Sequence, residues 1–246
     1  MSETKGMIEI MIKELVEISK YAGMREDLVQ AGGGNASVKI NGEEMLIKSS
    51  GYNLSDVSKE EGYSLVNYKM IRQYLETLND DNISEQEILE RALIKGNRPS
   101  IETFLHALTG KVTLHVHSLS VNVLAVRKDG LEELRSLFPD ALLVGYATPG
   151  IKLAKLYFEV YKAGVNEENK IGDIVFLKNH GLIISGENAE DVIQKTEMVC
   201  QRIEEKFGID NSGYRKSYEI YKTLRKSGIN SSNIVVKAEN LSILNL

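Results

Sequence analysis

Tryptophan is absent from this chain, proline occurs three times, and cysteine once, at Cys200. A lone cysteine excludes an internal disulfide framework, and its place in a helical pattern reads as an ordinary small thiol rather than a nucleophile. No stretch reaches the roughly 18–20 apolar residues that a membrane span needs. The first residues lack the apolar core of a signal peptide, because Glu9, Lys13 and Glu14 interrupt it, so a cytoplasmic location is the expectation. Lys and Arg total 30 against 35 Asp and Glu, a net charge of −5, and no element concentrates the basic residues. That excludes the electrostatic footprint of a nucleic-acid partner. No Pro-, Gly- or Ser-rich run divides the chain. With 246 residues, 42% of them hydrophobic, it is long enough for one sizeable core, and one mixed α/β domain over 1–246 is the default.

Apolar residues at helical spacing (Ile8, Ile12, Leu15, Ile18, Tyr21) predict an amphipathic helix ending near Gly23. Three glycines follow, Gly32-Gly33-Gly34, then Asn35. A dinucleotide or phosphate loop needs its glycines between a strand and a helix. Here they precede two alternating runs, 37–40 and 45–48, separated by Asn41-Gly42, which is a hairpin signal. The Rossmann reading fails. Backbone amides of the glycines and the Asn35 carboxamide can still bind an anion, and Ser49-Ser50-Gly51 offers further donors; tight turns without a ligand fit equally. Beyond these, segments 68–78 and 84–95 carry apolar residues at mixed spacing around an exposed turn at 79–82. Helices are expected at 131–137, 152–163 and 188–207, and strands at 142–146, 173–177 and 182–185. In the tail, Tyr214, Tyr218 and Tyr221 share a helical face before a terminal strand at 234–236.

The chemistry gathers between Arg98 and Ser118, which hold three of the four histidines. Residues 113–117 read as a strand, so His115 and His117 project to one face with Val116 on the other. Their Cα atoms then lie about 6.5–7 Å apart, and two imidazoles can converge on one divalent ion such as zinc. His180, beside Gly181 at the end of another strand, is the candidate third ligand, and Glu102 opens a helix just ahead of the pair. The same spacing also suits the polar face of a half-buried sheet with no ion. His106, one turn after Glu102 on the same helix face, reads as a packing or supporting residue.

Gly-Gly-Asn-Ala-Ser-Val, Pro-Ser-Ile-Glu with a histidine four residues on, His-Val-His-Ser, Tyr-Ala-Thr-Pro-Gly and Asn-His-Gly occur here in one order. In these motifs the chain resembles class II aldolase/adducin proteins, over about residues 8–207, with a divergent tail from about 208. Arg-Pro-Ser-Ile-Glu-Thr is most similar to the aldolase portion of bifunctional rhamnulose-1-phosphate aldolase/alcohol dehydrogenases, without their dehydrogenase half. The resemblance implies a three-layer α/β/α sandwich around a largely antiparallel sheet. It also implies a homotetramer with sites at subunit interfaces, and a small-molecule sugar phosphate as substrate. It puts His115, His117 and His180 on the zinc positions and Glu102 on the catalytic acid/base. Gly34, Asn35, Ser50, Gly51 and Ser100 fall on the phosphate loops. The implied reaction is cleavage of a ketose 1-phosphate or related sugar through an enediolate, releasing dihydroxyacetone phosphate and an aldehyde. Other members are 4-epimerases, which usually carry aspartate in place of the glutamate, and dehydratases. Adducin-type assembly proteins have lost the metal ligands. Two departures stand out. Ile101 replaces the serine that fuculose-phosphate aldolases place directly before the acid. No tyrosine occurs near 136–138, where those enzymes keep the acid for the leaving oxyanion, so that acid is unassigned here, with Tyr214 and Tyr218 of the tail as candidates.

Overall fold

The computed structural model describes residues 2–77, 83–164 and 172–227. The turn expected at 79–82 and the strand expected at 234–236 lie outside them. The first helix, α1 (Ser2–Gly23), buries Leu15, Ile18, Tyr21 and Ala22 along one stripe, as its spacing predicts. The hairpin follows: β1 (Asn35–Lys39) pairs antiparallel with β2 (Glu44–Lys48). Its turn is wider than a two-residue Asn-Gly connection. The Asn41 side-chain oxygen accepts the amides of Glu43 and Glu44 at 2.8 and 2.9 Å, an Asx-type turn that the carboxamide makes possible.

Two further strands carry no clear signal in the sequence. β3 (Tyr63–Asn67) leads directly into α2 (Tyr68–Thr77), and β4 (Leu93–Gly96) follows α3 (Glu85–Ala92) without a break. An apolar pattern that runs on from a helix cannot announce its change of period. Pairing with β3 through Leu93, Lys95 and Gly96 makes the strand. α4 (Thr103–His106) is a single turn, then come β5 (Val112–Val116), α5 (Leu119–Ala125), α6 (Gly130–Leu137) and β6 (Leu142–Val144). The chain continues through α7 (Ile151–Gly164), β7 (Ile174–Leu177), β8 (Gly181–Gly186), α8 (Ala189–Phe207) and α9 (Ser212–Lys226).

The eight strands form one sheet in the order β4-β3-β2-β1-β5-β8-β7-β6. Every neighbouring pair is antiparallel except β6–β7. Side chains alternate between two helical layers, as the period of two demands. Phe176, Leu182 and Ile184 join α1, α5, α6 and α8 in one core, while Val175, Leu177 and Ile183 join α2, α3, α4 and α7 in the other. This is the three-layer mixed α/β architecture with a mostly antiparallel sheet. Because β5 and β8 run antiparallel, with Val116 opposite Leu182, the end of β5 meets the start of β8. That crossing brings the distant histidines together. No helix among the described residues is long and apolar enough to cross a membrane.

Candidate metal centre

On β5, Leu114 and Val116 enter the α1/α8 core, which turns His115 to the opposite face, toward α4. His117 lies one residue past the strand. His180 closes the turn from β7 to β8: its amide donates to the Leu177 carbonyl at 3.1 Å, and Asn179 before it takes φ +56. Asparagine visits that left-handed region more readily than most residues. The three imidazoles form a nearly equilateral triangle, with ring centroids 4.9, 5.0 and 5.1 Å apart and their planes steeply inclined.

His115 Nε2 and His180 Nε2 are 3.2 Å apart, and the Glu102 Oε1 oxygen is 3.3 Å from each. An ion of zinc's size, with ligands at about 2.0–2.1 Å in a tetrahedron, spaces its donors by about 3.3–3.4 Å. These donors therefore already sit at the edge length such an ion requires. His115 is fully buried, and the Glu102 and His180 side chains are only slightly exposed. His117 Nε2 is buried with no hydrogen-bond partner among the described residues, an arrangement that is costly for a neutral ring nitrogen unless a cation joins it. Glu102, His115, His117 and His180 thus form a group that could hold a metal ion.

The electrostatics agree. Burial pushes His117 down to about 4, aided by its two histidine neighbours, so it stands neutral, the form that ligates. Burial alone would raise Glu102, but its contacts with His115 and His180 hold its carboxyl well below the usual range, and a cation bound among these rings would favour the carboxylate in the same direction.

Two glycines shape the pocket for His117. A Cβ on Gly33 would stand 2.8 Å from its Nδ1, and one on Gly181 would stand 3.3 Å from its Cδ2 and 2.3 Å from the Val116 carbonyl. Only a residue without a side chain fits either place. Gly33, which the sequence offered as part of an anion loop, packs against an imidazole.

Asn35 faces His115 across the β1–β5 ladder. It is fully buried, its Oδ1 accepts the Ala36 amide at 2.8 Å, and its Nδ2 has no partner among the described residues. Gly34 beside it takes φ +75. An antiparallel bridge between Ser49 and Pro99, with the Ser50 amide on the Arg98 carbonyl at 2.9 Å, ties the Ser49–Gly51 loop to the segment before α4 and sets Ser50 opposite Arg98 and Lys48 opposite Ser100. Ser100 Oγ accepts the Glu102 amide at 3.3 Å, which leaves its hydroxyl proton free to donate.

Lys48 was not anticipated from the sequence. It is 4% exposed, with no carboxylate in contact among the described residues, and donates to the carbonyls of Tyr52 (2.7 Å) and Ser49 (3.4 Å). Burial lowers its pKa, while Glu102 is near enough to oppose that. The only hint in the sequence was a lysine closing the apolar run 45–47, just before the two serines.

His106 lies outside the cluster, buried against Ser37. Cys200 is buried beside Ser118, its thiol pushed up to about 12 mainly by burial, so it is inert. Tyr218 packs edge-on against Tyr21 of α1 at 5.6 Å and is not brought to the histidines; Tyr214 is exposed on the same helix.

The family model described as "Class II Aldolase and Adducin N-terminal domain" matches residues 13–205. The Uncharacterized oxidoreductase YuxG of Bacillus subtilis (strain 168) is 30% identical over 219 residues, covering 83% of this chain and 30% of that protein. The chain therefore spans less than a third of that relative's length. The N-terminal class II aldolase domain of a conserved Thermoplasma acidophilum protein superposes with a TM-score of 0.66 at 24% identity, over 79% of this chain and 92% of that one. A sugar-phosphate aldolase from Thermotoga maritima superposes with a TM-score of 0.56 at 16% identity, over 79% and 92%. At these identities the solved structures show the shared fold.

Proposed function

Because the chain belongs to the class II aldolase and adducin family, we propose that it is a metal-dependent aldolase. Its substrate is a ketose 1-phosphate or related sugar, and its products are dihydroxyacetone phosphate and an aldehyde. The observation that carries this reading is the 3.2–3.3 Å spacing of the His115, His180 and Glu102 donors, with His117 closing the triangle. His115, His117 and His180 would hold the ion, with zinc the first choice for imidazole donors. When bound, the ion supplies Lewis-acid stabilisation of the negative oxygen charge that develops as the carbon–carbon bond breaks.

The remaining work belongs to the chain's own groups. Cleavage leaves an enediolate, and its carbanion carbon needs a proton. Glu102, kept ionised, accepts the proton given up by the hydroxyl that becomes the aldehyde carbonyl and returns it at that carbon. Asn35 Nδ2, the Ser50 and Ser100 hydroxyls and the Gly51 amide bind the phosphate, and Gly34 gives the backbone its left-handed step beside them. Lys48 adds a positive charge to that anion site, which offsets the hydroxyl lost where Ile101 stands. The oxidoreductase in the Bacillus relative's name speaks for a much longer protein and is not carried over. A homotetramer and a cytoplasmic location are part of the same reading.

Metal analysis of the purified protein, coupled to a screen of ketose phosphates for released dihydroxyacetone phosphate, tests this directly. A metal-loaded protein that releases the triose supports it. One that returns only an epimerised or dehydrated sugar transfers the site to a related reaction of the family, and one that stays metal-free under excess zinc overturns it.

A further inference from the structure

Four residues of helix cannot hold their own shape in water, yet α4 carries Glu102 at its leading end. β1 restrains it. Asn35, Ser37 and Lys39 alternate onto one face of the sheet, and this polar row runs from the imidazole cluster to the far end of α4. Asn35 lies opposite His115. Ser37 Oγ is 2.7 Å from His106 Nδ1, with both residues wholly buried. Lys39 Nζ donates to the carbonyls of Ala107 (3.5 Å) and Thr109, which a helix end leaves without partners. The His106 amide closes the loop on the Glu102 carbonyl at 3.1 Å.

A histidine is an expensive choice at this position. Its Nε2 is buried with no partner among the described residues, whereas a leucine would fill the space and strand nothing. Burial also keeps the ring neutral, at about 3, so the bond to Ser37 joins two uncharged groups and holds the same form across the working pH range. A single directional bond on a one-turn helix sets the rotation of that turn, which apolar packing leaves loose.

We infer that Ser37 and His106 are a positioning pair for Glu102, pinning α4 to β1 and setting where the carboxylate stands relative to His115 and His180. Their role rests on the reading above, in which the cluster is a metal centre and Glu102 its acid/base.

Cobalt(II) provides a readout separate from turnover, because its visible absorption responds to ligand set and geometry. In cobalt-loaded protein, Ser37→Ala is expected to shift the spectrum in the direction that Glu102→Gln shifts it. Its kcat should fall about 10–100-fold, as expected for a small misplacement of a reacting group, with KM changed by less than about threefold. His106→Leu should match it and serves if Ser37→Ala does not fold. His106→Asn, which keeps a hydrogen-bonding group near Nδ1, should retain the wild-type spectrum. Wild-type spectra and kcat in both Ser37→Ala and His106→Leu, with only Tm lowered, would mean that the pair merely packs and overturn the inference. A His106→Asn spectrum like that of His106→Leu would do the same. Failure of the wild-type protein to take up cobalt overturns the metal-centre reading itself, before any variant is compared, and this inference with it.

Discussion

Gly33 lies against the imidazole of His117 so closely that a Cβ there would stand 2.8 Å from Nδ1. The glycine loop ahead of β1 and the histidine just past β5 are far apart in the chain, and their contact leaves the ring no room for rotation on that side. Gly181 bounds the other side. A metal site built on loops needs such fixed walls to be precise.

Replacing Gly33 with alanine should therefore push His117 out of place. Zinc affinity is expected to fall about 10–100-fold, the usual cost of disturbing a group that orients a ligand, while unfolding stays cooperative. Competition titration against a chromophoric chelator measures this; unchanged affinity would mean that the ring has slack the geometry does not suggest.

Glu102→Gln keeps the shape of the side chain and removes its ability to carry a proton. Bound metal should stay near the wild-type stoichiometry, and cleavage should fall by about 10²–10⁴-fold. Metal content and triose release measured on one preparation separate the two effects. Full-rate cleavage by the variant would remove Glu102 from its role.

Lys48→Met tests the anion site. Losing a charge-assisted hydrogen bond costs about 1.5–3 kcal/mol, so KM for a phosphorylated substrate should rise about 10–100-fold with kcat little changed, and competitive inhibition by inorganic phosphate should weaken in parallel. Equal KM values for the variant and the wild type would place the phosphate elsewhere.

A metal that binds only the folded chain stabilises it by mass action, about 2.7 kcal/mol at 100 times Kd. Zinc should raise Tm in the wild type and leave His180→Asn nearly unmoved. Equal shifts in both proteins would point to binding outside the cluster.

Away from the site, Glu197 joins Arg25 of the loop after α1 to Arg215 of α9 and accepts the Tyr21 hydroxyl at 2.7 Å. Burial alone would raise its pKa, but the charge of Arg25 and the hydrogen bonds from Tyr21, Arg215 and Arg25 outweigh this and lower it below the ordinary 4.5. A carboxyl depressed in the folded state contributes stability above the unfolded value, and that contribution is lost as pH falls through the folded value. Glu197→Gln should cost about 2 kcal/mol at pH 7, and the difference from wild type should shrink as the pH drops below about 4.5. Urea unfolding at the two ends of that range checks the sign.

Much of this molecule was legible in the residues themselves. Periodicity gives α1, α8 and the β1–β2 hairpin, because a stripe at 3.6 or an alternation at 2 needs no knowledge of the partner. His115 and His117 were readable as a pair for the same reason, since a period of two fixes which side chains share a face. β3 and β4 were not, because one runs straight into α2 and the other straight out of α3, and only pairing with each other makes the second of them a strand. Lys48 was hidden too: a lysine ending an apolar run looks like a solvated strand end until the surrounding loops bury it.

On its own, then, the order of residues determined which local segments form and which side chains carry metal-binding and acid–base chemistry. Only the packed chain decided that His180 arrives within 3.2 Å of His115, that Glu102 stands 3.3 Å from both, and that Gly33 walls in His117. Local propensity acts over a few residues along the chain. These distances are set by the antiparallel register of β5 against β8 and by the seating of α4 on β1, contacts between residues about 65 or more positions apart that no local pattern encodes.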